Sequence, residues 1–458
     1  MPSMKLHPDP AAASVCADLR AAGFDAYLVG GAVRDLLRGV TPGDWDAATS
    51  ATPDEVMELF PKSLPTGLRY GTVTVRRDGR EIQVTTFRGE GEYGDGRHPD
   101  TVAFGRSIEE DLARRDFTVN ALAYDPATGR LIDPFGGRRD LRRGILRTVS
   151  DPALRFGEDA LRMLRLYRFQ ATLGYRPDPA AEAAVDPALA AKLSRERIRD
   201  ELAKLLPGTN AGPALRGLII SGLMDAIIPE LSVFGKKESA RSGSPSRSRK
   251  KENPADTKLW RHAILAVETI RPELRLRWAA LLHDIGKPAS RTEAGGEVHY
   301  YGHDELGAAL ARSVLESLRC PGGLVDDVAA LVGLHMFQLP IQAGDAAVRR
   351  LLHRAGGPGR LLDLIELRRA DIVATGSGYW RAAAYWRALK QRVEAVVAEG
   401  AAFSLKDLAV DGDDVMRTLG IGPGPEVGRI LDRLLGMVLE QPELNERGRL
   451  EELMRRLY

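Results

Sequence analysis

The chain has few of the residues that mark secreted, membrane-bound or strongly charged proteins. Its 458 residues include only two cysteines, Cys16 and Cys320, which lack a metal-ligand spacing. Two such thiols exclude a disulfide framework, so we expect a reducing compartment, the cytoplasm. No apolar run reaches the ~18 residues that a membrane-spanning helix needs. Residues 1–10 also lack the apolar core of a signal peptide, so we expect no membrane partner.

An excess of one charge is missing too, because 65 basic and 63 acidic residues leave a formal net charge of +2. This balance neither requires nor excludes nucleic acid. The positive charge is nevertheless concentrated in residues 138–168, which hold arginines at 138, 139, 142, 143, 147, 155, 162, 165 and 168 against acidic residues at 140, 151, 158 and 159. Such a stretch can follow a phosphate backbone, and a solvated basic face is the alternative. The length predicts about three domains.

A glycine pair lies where a strand pattern changes into a helix pattern. The apolar run Ala26–Val29 suits a buried strand, and apolar residues recur at helical spacing from 32 to 37. Gly30 and Gly31 between them would let a phosphate approach free backbone N–H groups at the helix start, and Arg34 adds a positive charge. We therefore predict a phosphate-binding turn, with close helix packing as the alternative.

Two aspartates follow the glycine turn. Asp44 and Asp46 are one residue apart, so an extended backbone would point both carboxylates to the same side at a spacing of roughly 6–7 Å. Magnesium bound there would remove their repulsion, activate an attacking hydroxyl and neutralise a pyrophosphate leaving group. A solvated turn is the alternative, but the short distance from the glycine turn favours a metal site.

Further motifs follow in a fixed order. Residues 69–75 and 81–88 predict strands, residues 111–121 contain Arg-Arg-Asp-Phe-Thr-Val-Asn-Ala, and residues 155–165 contain Arg-Phe-Gly-Glu-Asp-Ala-Leu-Arg. Together with the glycine turn and the aspartates, they resemble the class II tRNA nucleotidyltransferases, the CCA-adding enzymes, and the related bacterial poly(A) polymerases. These families belong to the DNA polymerase beta-like nucleotidyltransferase superfamily. The resemblance extends to about residue 205.

Asp159, Arg162, Arg165 and Arg168 recur every three residues, which predicts one helix that presents an acceptor and several donors on neighbouring turns. A salt-bridged surface helix is the alternative. The resemblance implies that Asp159 and Arg162 hydrogen-bond the incoming base, accepting C or A and rejecting G and U. With the glycine turn included, the predicted nucleotide-binding residues are Gly30, Gly31, Arg34, Arg115, Asp159, Arg162, Arg165 and Arg168, and the resemblance assigns magnesium to Asp44 and Asp46.

One position departs from the family pattern. Many relatives have Glu where this chain has Gln83, and a neutral carboxamide cannot supply a third negative charge. Glu81 lies on the same strand face by alternation and is a candidate catalytic residue for this reason, although it is ~6.6 Å away along the strand. We expect Gln83 to affect the number of bound metal ions or the reaction rate rather than the type of reaction.

Two stretches differ in composition from the rest of the chain. Residues 89–105 are rich in glycine and include Tyr93, His98 and Pro99, which predicts either a lid or a mobile surface loop. The resemblance implies the flexible loop with which CCA-adding enzymes switch from C to A addition. Residues 236–251 are basic and serine-rich, and we predict that they form a disordered linker.

A set of histidines and aspartates follows the linker, each near an apolar helical pattern: His262, His283, Asp284, His303, His335 and Asp371. Nitrogen and oxygen donors without a thiolate suit Mg, Mn, Fe, Co or Ni better than a structural zinc finger. The order of these residues resembles the HD phosphohydrolase domain. The resemblance implies a metal site with phosphatase or cyclic phosphodiesterase activity, and a purely structural module is the alternative.

We therefore predict an α+β protein with a DNA polymerase beta-like head and a mixed sheet, followed by an all-helical neck, body, HD domain and tail. The expected domains are the head at 1–140, the neck and body at 141–234, the linker at 235–257, the HD domain at 258–375 and the tail at 376–458. A glycine-rich turn at 419–428 before a helix resembles the tRNA-binding tail of the family, although simple helix packing explains it as well.

The predicted function is addition of CMP and AMP, from CTP and ATP, to the tRNA 3′ end. The alternatives are an enzyme that adds only the terminal A, a poly(A) polymerase, and an HD phosphohydrolase whose head only binds nucleotide or RNA. The sequence indicates no oligomeric state.

Overall fold

The computed structural model describes residues 6–68, 71–89, 105, 107–235, 254–295, 297–340, 342–376, 379–400 and 402–458, and it omits the side chains of 379–383 and 457. The predicted linker at 236–251, nearly all of the predicted loop at 89–105, and Arg69 and Tyr70 lie outside the described residues. The chain divides into two compact units, Met1–Ile227 and Ile228–Tyr458.

The first unit contains a seven-stranded sheet. Its strands are β1 Ala26–Val29, β2 Trp45–Thr49, β3 Leu64–Gly67, β4 Thr72–Arg77, β5 Arg80–Thr86, β6 Ala123–Asp125 and β7 Arg130–Ile132. The order across the sheet is β3-β4-β5-β2-β1-β6-β7. Only β2 and β5 pair in parallel, and all other neighbours are antiparallel. The predicted mixed sheet of an α+β head is confirmed.

Local sequence explains these strands. In β4 and β5, Val73, Val75, Ile82 and Val84 are buried and alternate with more exposed residues, as expected of a sheet with one face on a core. The two strands are joined by Asp78 and Gly79, both at positive φ (50° and 75°), which is the turn type that an Asp-Gly pair favours in hairpins.

Helices surround the sheet and continue beyond it. They are α1 Pro10–Ala21, α2 Gly31–Leu37, α3 Pro53–Leu59, α4 Ile108–Ala113, α5 Gly137–Arg143, α6 Pro152–Glu158, α7 Leu161–Leu173, α8 Pro179–Ala183, α9 Arg195–Leu205, α10 Ala211–Ile220 and α11 Leu223–Ile227. The short strands β8 Ile145–Leu146 and β9 Arg176–Pro177 pair in parallel among them.

One helix prediction needs correction. Asp159 is not on the same helix as the three arginines, because α6 ends at Glu158 and Asp159 has an extended backbone with φ −146° and ψ 102°. Arg162, Arg165 and Arg168 lie on α7, which begins at Leu161. The three-residue spacing continues across the break, so the pattern alone did not reveal it.

The second unit is mostly helical. Its elements are α12 Lys258–Thr269, α13 Leu274–Leu282, α14 Lys287–Ser290, β10 Arg291–Ala294, β11 Glu297–Tyr300, α15 His303–Ser317, α16 Gly322–Leu334, α17 Asp345–Ala355, α18 Pro358–Ala374, α19 Tyr379–Ala398, α20 Gly412–Leu419, α21 Pro425–Glu440 and α22 Arg447–Leu457. The hairpin of β10 and β11, together with β8 and β9 in the first unit, departs from the expectation of an all-helical remainder.

The end of the predicted linker is ordered. Residues Pro254–Asp256 form a 3-10 turn, and Ala255 within it is buried. Thr257 begins α12 as its N-cap and donates a hydrogen bond of 2.7 Å to the carbonyl of Phe234. The described residues 254–257 thus form ordered contacts within the predicted linker, whose bounds of 235–257 stay a prediction.

The last three helices pack around their own apolar cluster, which includes Val415, Leu434, Val438, Leu450 and Met454. The glycine-rich turn predicted at 419–428 connects α20 to α21. Within the described residues, no helix has both the length and the hydropathy required to cross a membrane.

Candidate functional site

A cavity of about 510 Å³ in the first unit collects nearly all the residues predicted for the nucleotide site. All eight predicted nucleotide-binding residues and both aspartates line it: Gly30, Gly31, Arg34, Asp44, Asp46, Arg115, Asp159, Arg162, Arg165 and Arg168. These residues come from the turn between β1 and α2, α2 itself, β2 and the residue before it, the segment after α4, the break before α7, and α7. The fold thus brings together side chains that lie more than 130 positions apart.

The glycine turn is shaped by its neighbours. Gly30 precedes α2 with φ 69°, a backbone conformation that strongly favours glycine. A Cβ atom at this position would lie 2.7 Å from Nη1 of Arg115 and 3.7 Å from Oδ2 of Asp46. Glycine is therefore needed here both for its conformation and for the close approach of Arg115 to the turn.

The aspartate pair forms an oxygen-rich edge of the cavity. Asp46 lies in β2, half-buried, and Asp44 is exposed just before this strand. Burial raises the pKa of the Asp46 carboxyl, the neighbouring charge of Asp44 raises it further, and Arg115 opposes both effects without cancelling them. A divalent cation would relieve this repulsion, and carboxylate oxygens are the ligands that Mg²⁺ prefers. The two residues therefore fit a magnesium site.

Glu81 does not reach the cavity. Its Oε1 accepts hydrogen bonds from Arg76, 3.0 Å from Nε and 2.9 Å from Nη2, on the exposed β4–β5 hairpin. Its side chain is 61% exposed. Gln83, in contrast, is the direct partner of Asp46 in the parallel pairing of β2 with β5. The position nearest to Asp46 on β5 therefore holds a neutral side chain.

Asp116 and Asn120 connect the arginines of the cavity. The Asp116 carboxylate accepts hydrogen bonds from Nε of Arg165 at 2.7 Å and from the amide of Asn120 at 3.0 Å. The Asn120 carbonyl oxygen in turn accepts a hydrogen bond of 2.8 Å from Nη1 of Arg34. Both residues belong to a motif of the sequence, but the sequence alone gives no role to either. They fix the orientation of two predicted nucleotide-binding arginines, Arg34 and Arg165.

Both predicted base-binding side chains are held by ion pairs. The Asp159 carboxylate accepts bonds of 2.8 and 3.0 Å from Nη2 of Arg197. Nη1 of Arg162 donates to Glu158 at 2.6 Å, and its Nη2 donates to the Arg114 carbonyl at 2.9 Å. Arg197 lines the cavity from α9 and was not predicted, because nothing in its own sequence neighbourhood shows the contact.

The remaining arginine of α7 is also fixed from α9. Nε of Arg168 lies 2.7 Å from Oε2 of Glu201, and its guanidinium lies 3.8 Å from the ring centre of Phe169. Glu201 is buried, so this pair is held away from water. The cavity is thus lined by cations whose directions are set by buried acceptors, an arrangement suited to an anionic ligand.

The six predicted HD residues converge in the second unit. Nε2 of His262 lies 2.9 Å from Nε2 of His283, 3.2 Å from Oδ1 of Asp371 and 3.5 Å from Oδ2 of Asp284. Nε2 of His303 and of His335 each lie 3.9 Å from Oδ1 of Asp284. Asp284 is therefore shared by two possible metal-binding triads, one with His262 and His283 and one with His303 and His335.

The histidine rings are oriented by backbone carbonyls. Nδ1 of His283, His303 and His335 lies 2.9, 2.7 and 2.6 Å from the carbonyls of residues 280, 300 and 332. When Nδ1–H donates to a carbonyl, Nε2 keeps its lone pair for a metal. The sequence does not reveal these contacts, because each accepting carbonyl belongs to the backbone three residues before its histidine.

Several possible metal-binding atoms of the cluster lack a hydrogen-bond partner in the described part of the chain. Among the described residues, Oδ1 of Asp284 and Nε2 of His303 and His335 are buried without a hydrogen bond. Burial lowers the pKa of His335 to about 4, helped by the nearby His283, so this ring is neutral at pH 7. The neutral imidazole of His335 and the orphaned buried atoms of Asp284 and His303 fit a divalent metal centre.

Two cations accompany the carboxylates of this cluster. Nζ of Lys287 lies 2.6 Å from Oδ2 of Asp284, and Nη1 of Arg368 lies 2.6 Å from Oδ2 of Asp371. Burial of Asp284 favours its neutral form, but His283, Lys287 and His262 outweigh this effect and hold its pKa at about 2. Both cations could also contact a phosphate bound at the same metals.

Family models match three stretches of the chain. Residues 26–147 match the model of the poly A polymerase head domain, residues 186–234 match the probable RNA and SrmB-binding site of polymerase A, and residues 260–376 match the HD domain. The head match covers the glycine turn, the aspartates and Arg115, and the HD match covers all six ligand candidates.

Full-length relatives agree. The chain is 36% identical to the CCA-adding enzyme of Geobacillus stearothermophilus over 441 residues, which is 96% of this chain and 95% of the relative. It is 37% identical to the A-adding tRNA nucleotidyltransferase of Deinococcus radiodurans over 428 residues, with coverage of 89% and 90%. A solved structure of the Bacillus stearothermophilus CCA-adding enzyme in complex with CTP superposes with a TM-score of 0.73 at 32% identity, covering 100% and 98% of the two chains. The chain therefore belongs to the class II CCA-adding enzymes, a family of tRNA nucleotidyltransferases that use divalent metal ions, and it contains an HD domain.

Proposed function

We propose that this enzyme adds CMP and AMP, taken from CTP and ATP, to the 3′ end of tRNA until the sequence CCA is complete. The single observation that supports this most strongly is the cavity of the first unit. The cavity combines a glycine turn, two aspartates, several arginines, and the carboxylate of Asp159 beside the guanidinium of Arg162. The CTP complex of the similar Bacillus stearothermophilus enzyme supports the choice of nucleotide.

In the proposed reaction, the terminal 3′-hydroxyl of tRNA attacks the α-phosphorus of the nucleotide. A bond from O3′ to phosphorus forms, and the bond to the pyrophosphate oxygen breaks. Asp44 and Asp46 would hold Mg²⁺, which supplies activation of the hydroxyl and neutralisation of the leaving group. The backbone N–H of Gly31 and the guanidiniums of Arg34 and Arg115 would bind the triphosphate oxygens, whereas the Gly30 N–H already donates to the carbonyl of Leu122 at 3.2 Å.

Base choice is proposed to depend on Asp159 and Arg162. C and A each present an amino donor beside a ring-nitrogen acceptor, whereas G and U present a carbonyl acceptor beside an N–H donor. A carboxylate next to a guanidinium matches the first pattern and leaves unpaired groups against the second. Arg197 already binds the Asp159 carboxylate, and Glu158 already binds the Arg162 guanidinium. When the nucleotide binds, Asp159 and Arg162 would therefore have to bind the base as well as these partners.

The test is incorporation of each labelled nucleotide into three tRNA transcripts, ending before CCA, after the first C and after CC. Addition of C, C and A followed by arrest is the expected result. A single A added only to the CC-ended transcript would instead assign the activity named for the Deinococcus radiodurans relative. Long A tails would assign a poly(A) polymerase, and absence of incorporation would overturn the proposal.

A second activity is proposed for the HD domain, hydrolysis of phosphate esters or cyclic phosphodiesters. The observation that favours it is the convergence of two triads on Asp284 with orphaned buried donor atoms. The donor set suits Ni, Mn, Co, Fe or Mg. Hydrolysis of bis(p-nitrophenyl) phosphate and of 2′,3′-cyclic AMP should appear with one of these metals. Asp284→Ala should abolish it while leaving nucleotide addition intact, and unchanged hydrolysis in this variant would contradict the assignment.

We further propose the domain division given by the sequence: a head at 1–140, a neck and body at 141–234, a linker at 235–257, an HD domain at 258–375, and a tail at 376–458 that binds tRNA. The apolar cluster of α20–α22 supports a tail with its own core, and Arg349 of α17 joins it to the HD domain by donating a hydrogen bond of 2.7 Å to the carbonyl of Leu439. A tRNA substrate also favours the cytoplasm as the place of action.

A further inference from the structure

Eight of the nine arginines in residues 138–168 fall into three groups in the structure. Arg162, Arg165 and Arg168 line the cavity, and Arg155 forms an ion pair with Glu158. Arg139 and Arg147 form ion pairs with the buried Asp140. Arg142 and Arg143, at the end of α5, are exposed, and neither forms an ion pair within the described part of the chain. The proposed reaction assigns no role to this last pair.

Other cations lie beside Arg142 and Arg143. The backbone N–H of Arg176 donates a hydrogen bond of 2.8 Å to the carbonyl of Gly144, and the exposed Arg176 pairs with Ile145 in the β8–β9 ladder. A Cβ atom on Gly144 would lie 3.6 Å from Cδ1 of Tyr175. Strand β9 therefore brings Arg176 and Tyr175 to the end of α5.

Arg38 completes this group from a different helix. Its Cζ lies 5.6 Å from the centre of the Tyr175 ring, a cation–π contact at the end of α2. We call the group of Arg38, Arg142, Arg143, Tyr175 and Arg176 the basic patch. It combines four guanidiniums with one half-buried aromatic ring, and Arg142, Arg143 and Arg176 are exposed.

Nearby carboxylates do not neutralise the basic patch. Asp35 accepts hydrogen bonds from both Arg34 and Arg38, so one negative charge is shared between two cations. Asp140 is buried and taken by Arg147 and Thr118. The exposed guanidiniums of Arg142, Arg143 and Arg176 attract a polyanion, and release of its counter-ions would favour binding.

The patch lies a short distance from the catalytic cavity. Helix α2 begins at the glycine turn and ends beside Arg38, and its seven residues span about 10 Å. Helix α7 contributes Arg168 to the cavity and ends at Leu173, about 8 Å further along its axis and two residues before Tyr175. A stacked nucleic-acid strand rises ~3.4 Å per nucleotide, so this distance corresponds to about three nucleotides.

We propose that the basic patch binds phosphates of the RNA strand whose 3′ end enters the cavity, about three nucleotides before that end. This inference rests on the proposed function, because it assumes an RNA acceptor at the cavity. It adds a substrate-binding surface, in which Arg142, Arg143 and Arg176 contact backbone phosphates without selecting a base.

The test measures the affinity of a tRNA transcript lacking CCA as a function of KCl concentration. The double variant Arg142→Ala/Arg143→Ala should lower the slope of log affinity against log salt by about 1.4 to 1.8, as expected for two lost phosphate contacts. The double lysine variant should restore most of the slope, because lysine keeps the charge. Affinity for CTP should not change, since neither residue lines the cavity.

The matched control is Arg76→Ala/Arg130→Ala, which removes two exposed charges from strands of the same unit and should leave the slope unchanged. An equal slope for the patch variant and the wild type would overturn the proposal. So would an equal loss in the control, which would indicate a general charge effect. A microhelix of the acceptor arm should show the same loss, and an effect seen only with whole tRNA would contradict the placement near the 3′ end.

Failure of this inference can be told apart from failure of the proposed function. If the wild-type enzyme adds nucleotides to the transcript but the patch variant binds tRNA normally, only the patch is wrong. If the wild type adds no nucleotide, the proposed function is wrong whatever the binding slopes show.

Discussion

Asp46 and Gln83 are direct neighbours across the parallel strands β2 and β5. Paired residues in a sheet point to the same face, so the Gln83 carboxamide lies beside a proposed metal ligand. Gln83→Glu would add a negative charge at that position. Because ligand charge strongly affects the affinity for hard cations, we expect Mn²⁺ to bind about tenfold more tightly, measured by electron paramagnetic resonance of bound Mn²⁺. Glu81→Gln is the control and should not change Mn²⁺ binding, since Glu81 pairs with Arg76.

Gly30 should not tolerate a side chain. In Gly30→Ala, the new Cβ would meet Nη1 of Arg115 at 2.7 Å while the backbone stays at a φ of 69°. Strain of this kind costs about 1–3 kcal/mol. We expect an increase of roughly tenfold or more in KM for CTP, because Arg115 must move from the phosphate-binding turn. Gly39→Ala also has positive φ but open space around it, and it should raise KM little.

Asp116 should make stability depend on acid pH. Burial would raise the pKa of its carboxyl, but the charge of Arg165 and hydrogen bonds from Asn120 and the Phe117 N–H outweigh burial and hold the pKa at about 2. The unfolded carboxyl has a pKa of about 3.9, so its contribution to stability is complete above that pH and is lost as pH falls toward 2.

The corresponding variant is Asp116→Asn. At pH 7 we expect it to lose on the order of 2–3 kcal/mol of unfolding free energy in urea denaturation, with less difference from the wild type at pH 2 to 3. Asp54→Asn removes an exposed acid of α3 and should cost much less. Equal losses for the two variants at pH 7 would contradict a special role for the Asp116–Arg165 pair.

The HD cluster should bind two metal ions that share Asp284. The protein is loaded with a divalent metal and dialysed, and the bound ions are counted by mass spectrometry. We expect two ions per wild-type chain, one in His262→Ala, one in His303→Ala and none in Asp284→Ala. His299→Ala, on β11 but outside both triads, should retain two ions. A single ion that is lost equally in every cluster variant would show that the triads form one site.

The sequence reveals some parts of this molecule better than others. The glycine turn and the aspartate pair are local, so their spacing predicts both their elements and their proximity. The HD ligands are recognisable by order and type. The sequence does not show that the two triads share Asp284, because this depends on which carboxylate oxygen faces each helix.

Other features depend on contacts distant in sequence. Arg197 approaches Asp159 from α9, 38 residues further along the chain, and no local pattern marks the pair. The choice between Glu81 and Gln83 needs the register of β2 with β5, which alternation alone leaves open by two residues. The break at Asp159 keeps the three-residue spacing of its neighbours, so periodicity predicts one helix where there are two.

The most direct test of the central claim is the rate of CMP addition by Asp44→Asn and Asp46→Asn on a tRNA transcript lacking CCA. Both variants keep the size of the side chain but remove the charge proposed to hold magnesium. We expect the rate to fall by about a thousandfold or more in each, while Glu81→Gln stays near the wild-type rate. Wild-type rates in either aspartate variant would contradict the assignment of this cavity as the nucleotidyl transfer site.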